Sequence, residues 1–480
     1  MEGCKSADKL VAALALARDN GKAVAIVKAG RSEVGRAAVQ SHTGALSGND
    51  RVFDAIFRQY GVYNASSVES LFDVAYAASA GHIPRAGKLG VFTVSGGIGV
   101  LAADAAERAG LSLPALPDPA RAKLQQLLPH ASVRNPVDGT AQIWSDMKVF
   151  DTFLQTMASE GDYDVLLLFL TAMPYSLPLR EPLKACLLRL REACPDKLLI
   201  LSMFAPAELC REMAEAGYLL FEDTTRAVNA IAALRDIARH KGRRTIETVG
   251  ERITGYPTLG AADHEHAVKA TLAAAGISVP EERLARTLEE GCTAADALGY
   301  PVALKIVSPD ILHKSDAGGV ALGLADRDAL ANAWRAMMPK VRQAYPAARI
   351  EGALVTPMVS DGVEMIVGVS RDPIFGLVAM VGLGGLFAEL FADVALRRAP
   401  VSHDEALVMI HELKGFGLLD GARGRPKADI GALADTIVRL SGLAAANEAL
   451  VESIEINPLR VLSEGAGGVA LDAALVRRGE

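Results

Sequence analysis

The sequence predicts an α/β chain with parallel sheets in its first half and an α+β chain with a largely antiparallel sheet in its second. Three observations carry this expectation. From Lys22 to Arg243, short β-branched apolar runs alternate with longer amphipathic segments, the pattern of a parallel sheet covered on both faces. Beyond the basic stretch Arg239–Gly255, the runs Ile350–Met358, Val363–Val369 and Leu377–Val381 follow one another through short turns with no helix between them. Finally, 480 residues that are 50% hydrophobic and only 22% charged suffice for two to four packed domains and exclude a disordered chain.

Taken in order, Lys22–Ala29 reads as a buried strand, and the small, hydroxyl-rich run Ser41–Gly48 follows as a loop. Val52, Phe53, Ile56 and Phe57 then recur at helical spacing after Asp50. A loop between strand and helix in an α/β unit lies at the carboxyl edge of the sheet, where ligands bind. That position singles out His42, although a loop histidine is often only solvated. Ser66-x-x-Glu69 offers a capping box for a helix over Ser67–Ala80. The breaker-rich joint His82–Lys88 closes a first domain, residues 1–81. A strand over Leu89–Val94, the turn Ser95–Gly99 and a helix over Val100–Ala109, stopped by Gly110, open a second domain, residues 86–243. Strands at Val165–Leu170 and Leu198–Met203 complete it. After the joint Arg239–Gly255 comes a third domain, residues 256–480.

Bulk properties narrow the function. A net charge of −7 and a pI near 5.8 argue against a general nucleic-acid-binding surface. The five cysteines are scattered, with no C-x-x-C pair, which argues against a disulfide framework or zinc site and for a reducing cytoplasm. The longest apolar runs, Val165–Leu170 and Leu377–Leu383, are too short to span a bilayer, and no secretory signal is expected in a start as charged as Met1–Lys5.

The second half carries the more specific chemistry. Pro301–Val307 reads as a strand with Lys305 among apolar residues, a costly placement unless the ammonium meets an anion. The segment Ser308–Val320 adds donors, a cation and the pair Gly318–Gly319, ingredients for cradling phosphates through backbone N–H groups. Alternation puts Glu455 and Asn457 on one strand face, and a hairpin returning through Val469–Asp472 brings Asp472 beside them. Such hard oxygen ligands suit Mg²⁺ carrying a nucleotide. Each part also has an ordinary reading: Lys305 snorkels, the glycines only turn the chain, and the acids solvate a sheet edge. Together, in one region, they look like an ATP-grasp module of two subdomains.

With those residues in view, the chain closely resembles the NDP-forming acyl-CoA synthetases, the ADP-forming acetyl-CoA synthetase group related to succinyl-CoA synthetase. The markers are Lys28–Ser32 (KAGRS), Ser41–Gly48 (SHTGALSG), Ser95–Gly99 (SGGIG) and Asn135–Asp138 (NPVD), followed by Leu304–Val320, Val381–Gly385, Leu418–Gly424 and Glu455–Leu459 (EINPL). The resemblance covers nearly the whole chain and implies flavodoxin-like, succinyl-CoA synthetase-like domains followed by an ATP-grasp domain. It implies an acid–thiol ligase that converts a small carboxylic acid, CoA and ATP reversibly to acyl-CoA, ADP and phosphate through a phosphohistidine.

The resemblance also implies site roles. His42 matches the phosphorylated histidine, and Glu2 the glutamate that supports it; Glu2 also reads as a frayed end residue. His313 matches a second histidine that relays the phosphoryl group on a moving segment. Lys305 and Lys314, with Gly318 and Gly319, would hold ATP phosphates. The backbone of Thr356–Val359, Met358 and Val359 above all, would meet adenine, and Glu364 would reach ribose. Asn457, Asp472 and Glu455 would hold Mg²⁺. Gly96, Gly97 and Gly99 open a helix whose positive end would steady the phosphohistidine.

One departure is expected to matter. The family's Rossmann-type CoA-binding domain precedes this region, and no early G-x-G-x-x-G unit is present. The CoA step is therefore expected to need a CoA-binding domain from a longer chain, a partner chain or another protomer of an oligomer. Two other readings compete. A degenerate ligase-like regulatory or protein-acyltransferase subunit predicts loss of His42 or of the ATP-grasp acids. A stand-alone carboxylate–amine ligase predicts no phosphohistidine loop.

Overall fold

The computed structural model describes residues 1–43, 48–81, 84, 86–240, 255–260, 262, 264–311, 317–384 and 393–479, the side chains of 40–43 and 240 excepted. Contacts divide the chain into two units, Met1–Ser47 with Phe57–Arg243 and Gly48–Ile56 with Arg244–Glu480.

In the first unit, β1 (Val24–Val27) pairs in parallel with β2 (Val62–Ala65). A second parallel sheet holds β3 (Leu89–Thr93), β4 (Val137–Asp138), β5 (Val165–Thr171), β6 (Leu198–Met203) and β7 (Leu219–Phe221) in the order β4-β3-β5-β6-β7. This is the flavodoxin-like order, with its topological switch between β3 and β5. Alternation along these strands fills two cores. Phe92, Leu166, Leu168 and Leu199 face the helices Met147–Glu160 and Leu177–Ala193. Val91, Val165, Leu167 and Ile200 face Gly96–Arg108 and Thr224–His240. Both faces being covered explains why these strands are near-continuous apolar runs.

Local details depart from expectation. The buried strand expected over Lys22–Ala29 is only β1, four half-buried residues, because β2 is its one strand neighbour among the described residues. The helix cap at Val68–Ser79 is Ser67 with Ser70, not Ser66 with Glu69; the Ser67 hydroxyl accepts from the Ser70 N–H at 3.0 Å and the Ser70 hydroxyl accepts from the Ser67 N–H at 3.1 Å. The joint 82–88 separates two sheets but not two cores, since Ala23, Ala25 and Tyr63 pack against the cluster that holds Val91 and Leu167. Most of the second joint lies outside the described residues.

The second unit contains two antiparallel sheets. In the first, β8 (Arg283–Ala285), β9 (Val302–Val307), β10 (Val320–Leu324) and β11 (Gly352–Pro357) run in the order β10-β9-β11-β8. In the second, β12 (Val363–Asp372), β13 (Gly376–Leu383), β14 (Val394–Arg398) and β15 (Val451–Val461) continue to β16 (Gly468–Ala470) and β17 (Ala473–Arg477), both paired with β15. The three runs read as successive hairpins are therefore split. β11 belongs to one sheet, β12 and β13 to the other, and residues 358–362 cross between them. Alternation alone cannot tell a hairpin from a sheet-to-sheet crossing.

Val302, Leu304, Ile306, Ala353 and Val355 pack on the helices Leu288–Leu298 and Arg327–Ala344. That leaves Ala303, Lys305, Leu354 and Thr356 on the opposite face of the sheet, since Lys305 pairs with Leu354 and Ala303 with Thr356. No described helix is long and apolar enough to cross a membrane.

Candidate active site

Lys305 is the centre of the second unit's polar chemistry. β9 is buried along all six residues, so the Lys305 ammonium must find partners inside the protein. It donates to the Leu471 carbonyl at 3.0 Å, to Asp472 Oδ2 at 3.2 Å and to Glu265 Oε1 at 3.3 Å. Burial works against its charge, but the pull of Asp472 and Glu265 outweighs that and raises its pKa above the ordinary 10.5. The Leu471–Asp472 pair sits in the break between β16 and β17. There the Asn457 N–H donates to the Asp472 carbonyl at 3.1 Å, and the Leu471 N–H donates to the Pro458 carbonyl at 3.0 Å. The expected juxtaposition of Asn457 and Asp472 is thus present in the backbone. The side-chain picture differs, because Asp472 pairs with Lys305 while Asn457 Nδ2 donates to Glu455 Oε1 at 3.0 Å.

Among the described residues, no group of three or more His, Cys, Asp or Glu forms a metal site. The carboxylates of Glu455 and Asp472 and the amide oxygen of Asn457 are donor types that would suit an ion arriving with nucleotide phosphates.

The remaining nucleotide-side expectations fare unevenly. Gly318, at φ +67°, turns the chain into β10, and the Gly319 carbonyl accepts from the Ile306 N–H at 2.8 Å. A Cβ on Gly318 would come within 2.9 Å of the Lys340 ammonium, so the turn lies close to a second cation. The Met358 N–H, expected to be open to a base, donates to the Pro301 carbonyl at 3.0 Å, leaving Val359 as the backbone candidate in that pair. Glu364 is held by Arg460 at 2.7 Å, so its carboxylate reaches a ribose only by leaving or sharing that guanidinium. His313 and Lys314 lie outside the described residues.

Sequence reasoning missed several groups here. Glu265 and Lys269, four apart on the helix Glu265–Ala274, meet at 2.9 Å, and an i,i+4 acid–base pair is a signal that a helix reading could have raised. Arg460 and Glu282 carry no comparable local signal. Thr356, expected only as part of a backbone contact, offers a buried hydroxyl with no hydrogen-bond partner among the described residues, on the Lys305 face of the sheet.

In the first unit, Ser41–Thr43 is not loop but the last turn of the helix Glu33–Thr43, so His42 stands near a helix carboxyl end. Its side chain and residues 44–47 lie outside the described residues. Glu2 follows Met1, whose carbonyl accepts from the Ala29 N–H at 3.0 Å, so Glu2 sits just beyond the carboxyl end of β1.

The helix expected from Val100 begins at Gly96, with the Ile98 and Gly99 N–H groups both donating to the Ser95 carbonyl at 3.1 Å. The three glycines therefore differ. A Cβ on Gly99 would crowd Thr93 Cγ2 at 3.1 Å, one on Gly96 would meet Asp138 Oδ2 at 3.2 Å, and Gly97 has open space. Gly99 is thus a packing glycine, while Gly96 and Gly97 line the carboxyl edge beside the switch point. Asn135 of the NPVD run completes the β3 edge. It accepts from the Val91 N–H at 3.0 Å and donates to the Leu89 carbonyl at 2.7 Å.

A switch-point α/β sheet in the first unit, and two antiparallel sheets with a buried lysine in the second, are the architecture of flavodoxin-like and ATP-grasp domains. Residues 261–476 match the family model of an ATP-grasp domain, and residues 1–78 match that of a succinyl-CoA ligase like flavodoxin domain. An acetate–CoA ligase [ADP-forming] I of Archaeoglobus fulgidus is 36% identical over 97% of this chain, which spans 68% of that relative's length. The beta subunit of acetate–CoA ligase [ADP-forming] II of Pyrococcus furiosus is 41% identical over 45% of this chain and 91% of its own. A solved chain of the dinucleotide forming acetyl-coenzyme A synthetase 1 of Ca. Korarchaeum cryptofilum is 40% identical over 45% of this chain and 93% of its own, with a TM-score of 0.43. The chain belongs to the NDP-forming acyl-CoA synthetases, which are acid–thiol ligases. The regulatory, degenerate-ligase reading is not favoured.

Proposed function

We propose that this chain carries the phosphoryl-transfer half of an ADP-forming acyl-CoA synthetase, in which His42 exchanges a phosphoryl group with ATP on one side and with an acyl phosphate on the other. The observation that carries this reading is the meeting of Lys305 with Asp472, next to Asn457, on a buried face of the sheet. A buried lysine beside oxygen ligands suits phosphates and little else.

Lys305, Lys314 and the turn at Gly318–Gly319 would orient the ATP phosphates, with the Val359 backbone at the base and Glu364 at the ribose. Glu455, Asn457 and Asp472 would hold Mg²⁺, which screens phosphate charge. Positioning and charge neutralisation are most of what phosphoryl transfer asks of a protein. The first-turn N–H groups at Gly96 and Gly97 lack intrahelical partners by geometry, and they suit an anionic phosphohistidine. Glu2 would orient the His42 ring and His313 would relay the group. The Pyrococcus relative is a separate subunit, which supports a partner chain or oligomer contributing to CoA binding. The acid is a small carboxylate.

Incubation with γ-labelled ATP and Mg²⁺ tests the reading. An acid-labile label that is lost in His42→Ala is expected. Undiminished labelling of His42→Ala, or no label on the unaltered chain, overturns it.

A further inference from the structure

A tight turn between antiparallel strands ordinarily holds glycine and small polar residues. The turn between β12 and β13 instead carries Ile374 and Phe375, and Phe375 is fully buried. Its ring partner comes from far back in the sequence. Gly48–Ile56 belong by their contacts to the second unit. Within it Phe53, fully buried on the helix Asp50–Gln59, meets the Phe375 ring edge-on, with centroids 4.8 Å apart and planes at 84°. Gly48, at φ +70°, lies against the same turn. A Cβ there would come within 2.6 Å of Ile374 Cδ1 and 2.8 Å of Phe53 Cε2, so only glycine fits.

The turn is held rigidly. Asp372 Oδ1 accepts from the Ile374 N–H at 2.8 Å and from the Phe375 N–H at 2.9 Å, and Arg398 Nε donates to the Phe375 carbonyl at 3.1 Å. Pro373 fixes its own φ, and Asp372 pairs with Gly376 across the base of the turn. A rigid support matters because of what precedes Gly48. His42 stands six residues earlier, and six residues span at most about 22 Å when fully extended. Fixing Gly48 therefore confines His42 to that distance from it, whatever path the chain takes. Glu455, one of the residues proposed to hold Mg²⁺, pairs with Gly368, which is about 13 Å along β12 from Asp372. The tether is thus long enough to reach the strands that carry the nucleotide-side residues, and short enough to keep His42 from straying far beyond them.

We propose that the turn Asp372–Gly376 anchors the segment that carries His42, with Phe53, Ile374 and Phe375 as positioning residues for phosphoryl transfer to that histidine. The inference rests on the reading of His42 as the phosphorylated group. A tethered histidine meets its phosphoryl donor at a high effective concentration. Released at Gly48, the same segment has more conformations to lose before it reacts. None of the three residues is assigned to nucleotide or cation, so their loss changes the rate of transfer and not the affinity for nucleotide.

Three measurements on the full chain test this: hydrogen exchange over residues 49–56, the rate at which γ-labelled ATP with Mg²⁺ gives the acid-labile label, and an ADP isotherm. Phe375→Ala is expected to speed exchange over 49–56 and to slow labelling about tenfold, with the isotherm unchanged. Phe375→Leu keeps an apolar side chain at the contact and should recover most of the labelling rate. Ile374→Ala, at a half-buried position that tolerates truncation, should slow labelling about threefold in the same direction. Leu167→Ala, which destabilises the core of the first unit, should leave the labelling rate unchanged. Exchange over 49–56 that is no faster in Phe375→Ala or Ile374→Ala than in the unaltered chain overturns the anchor. Faster exchange with labelling as rapid as in Leu167→Ala overturns the positioning role. An unaltered chain that takes no label overturns the reading of His42 and the positioning role with it, while the exchange measurement still decides the anchor.

Discussion

β1 and β9 both precede segments assigned to phosphate chemistry, yet they are built in opposite ways. β9 has two strand neighbours, is buried along its length and holds its lysine with all three ammonium donors engaged. β1 has one neighbour among the described residues, is half-buried throughout, and is followed by the helix Glu33–Thr43, whose last turn carries His42. A group that must be charged when the ligand arrives is prepared by burial among counter-charges, because rearranging water around it would cost more. The group proposed to accept and give away a phosphoryl group, His42, lies instead on a helix that follows this thinly covered strand.

The largest effects should separate the two regions by function. Lys305→Met is expected to weaken ADP binding about 100-fold or more, as befits loss of a desolvated charge partner, whereas His42→Asn should leave the isotherm unchanged while abolishing the acid-labile label. A His42→Asn chain that loses ADP binding would break the comparison. Stability comes next. Leu167, fully buried in β5, should cost about 2–5 kcal/mol when changed to alanine. Ile26 in half-buried β1 should cost about 1 kcal/mol, and comparable urea midpoints for the two would show that β1 is as well packed as β5.

A smaller effect tests preorganisation by backbone donors within the second unit. Asp429 caps the helix Ile430–Ala446, and the N–H of Ala432, then those of Gly467 and Gly465, hold its carboxyl below the ordinary 3.8 despite some burial. A lowered carboxyl pKa stabilises the fold fully above 3.8, and the contribution is lost as pH falls through the lowered value. Asp429→Ala should therefore lose about 1 kcal/mol near neutral pH and converge with the unaltered chain in strong acid, read from urea midpoints at both. The smallest change concerns Thr356, whose buried hydroxyl lacks a partner among the described residues. Thr356→Val should stabilise the chain by about 1 kcal/mol, since an unsatisfied buried hydroxyl is replaced by an isosteric methyl. Unchanged or lower thermal stability would mean that the hydroxyl is satisfied after all.

Sequence by itself determined the strands that are buried on both faces, because a continuous apolar run needs no partner to be recognised: Leu198–Met203 and Val165–Thr171 are examples. It also singled out Lys305 in an apolar strand and the EINP run as candidates for chemistry, since both are unusual wherever they fold. Cap residues, helix starts and the β11-to-β12 crossing escaped it, because neighbouring serines or glycines compete for the same role and alternation carries no sheet identity. Only the tertiary structure decided what neutralises Lys305. Glu265 lies 40 residues away and Asp472 167 residues away, joined by a helix packing and a strand break that no local period encodes. Local pattern reports which side of an element is buried; the partners of a buried charge are set by long-range register, where the cost of an unpaired ion selects the arrangement.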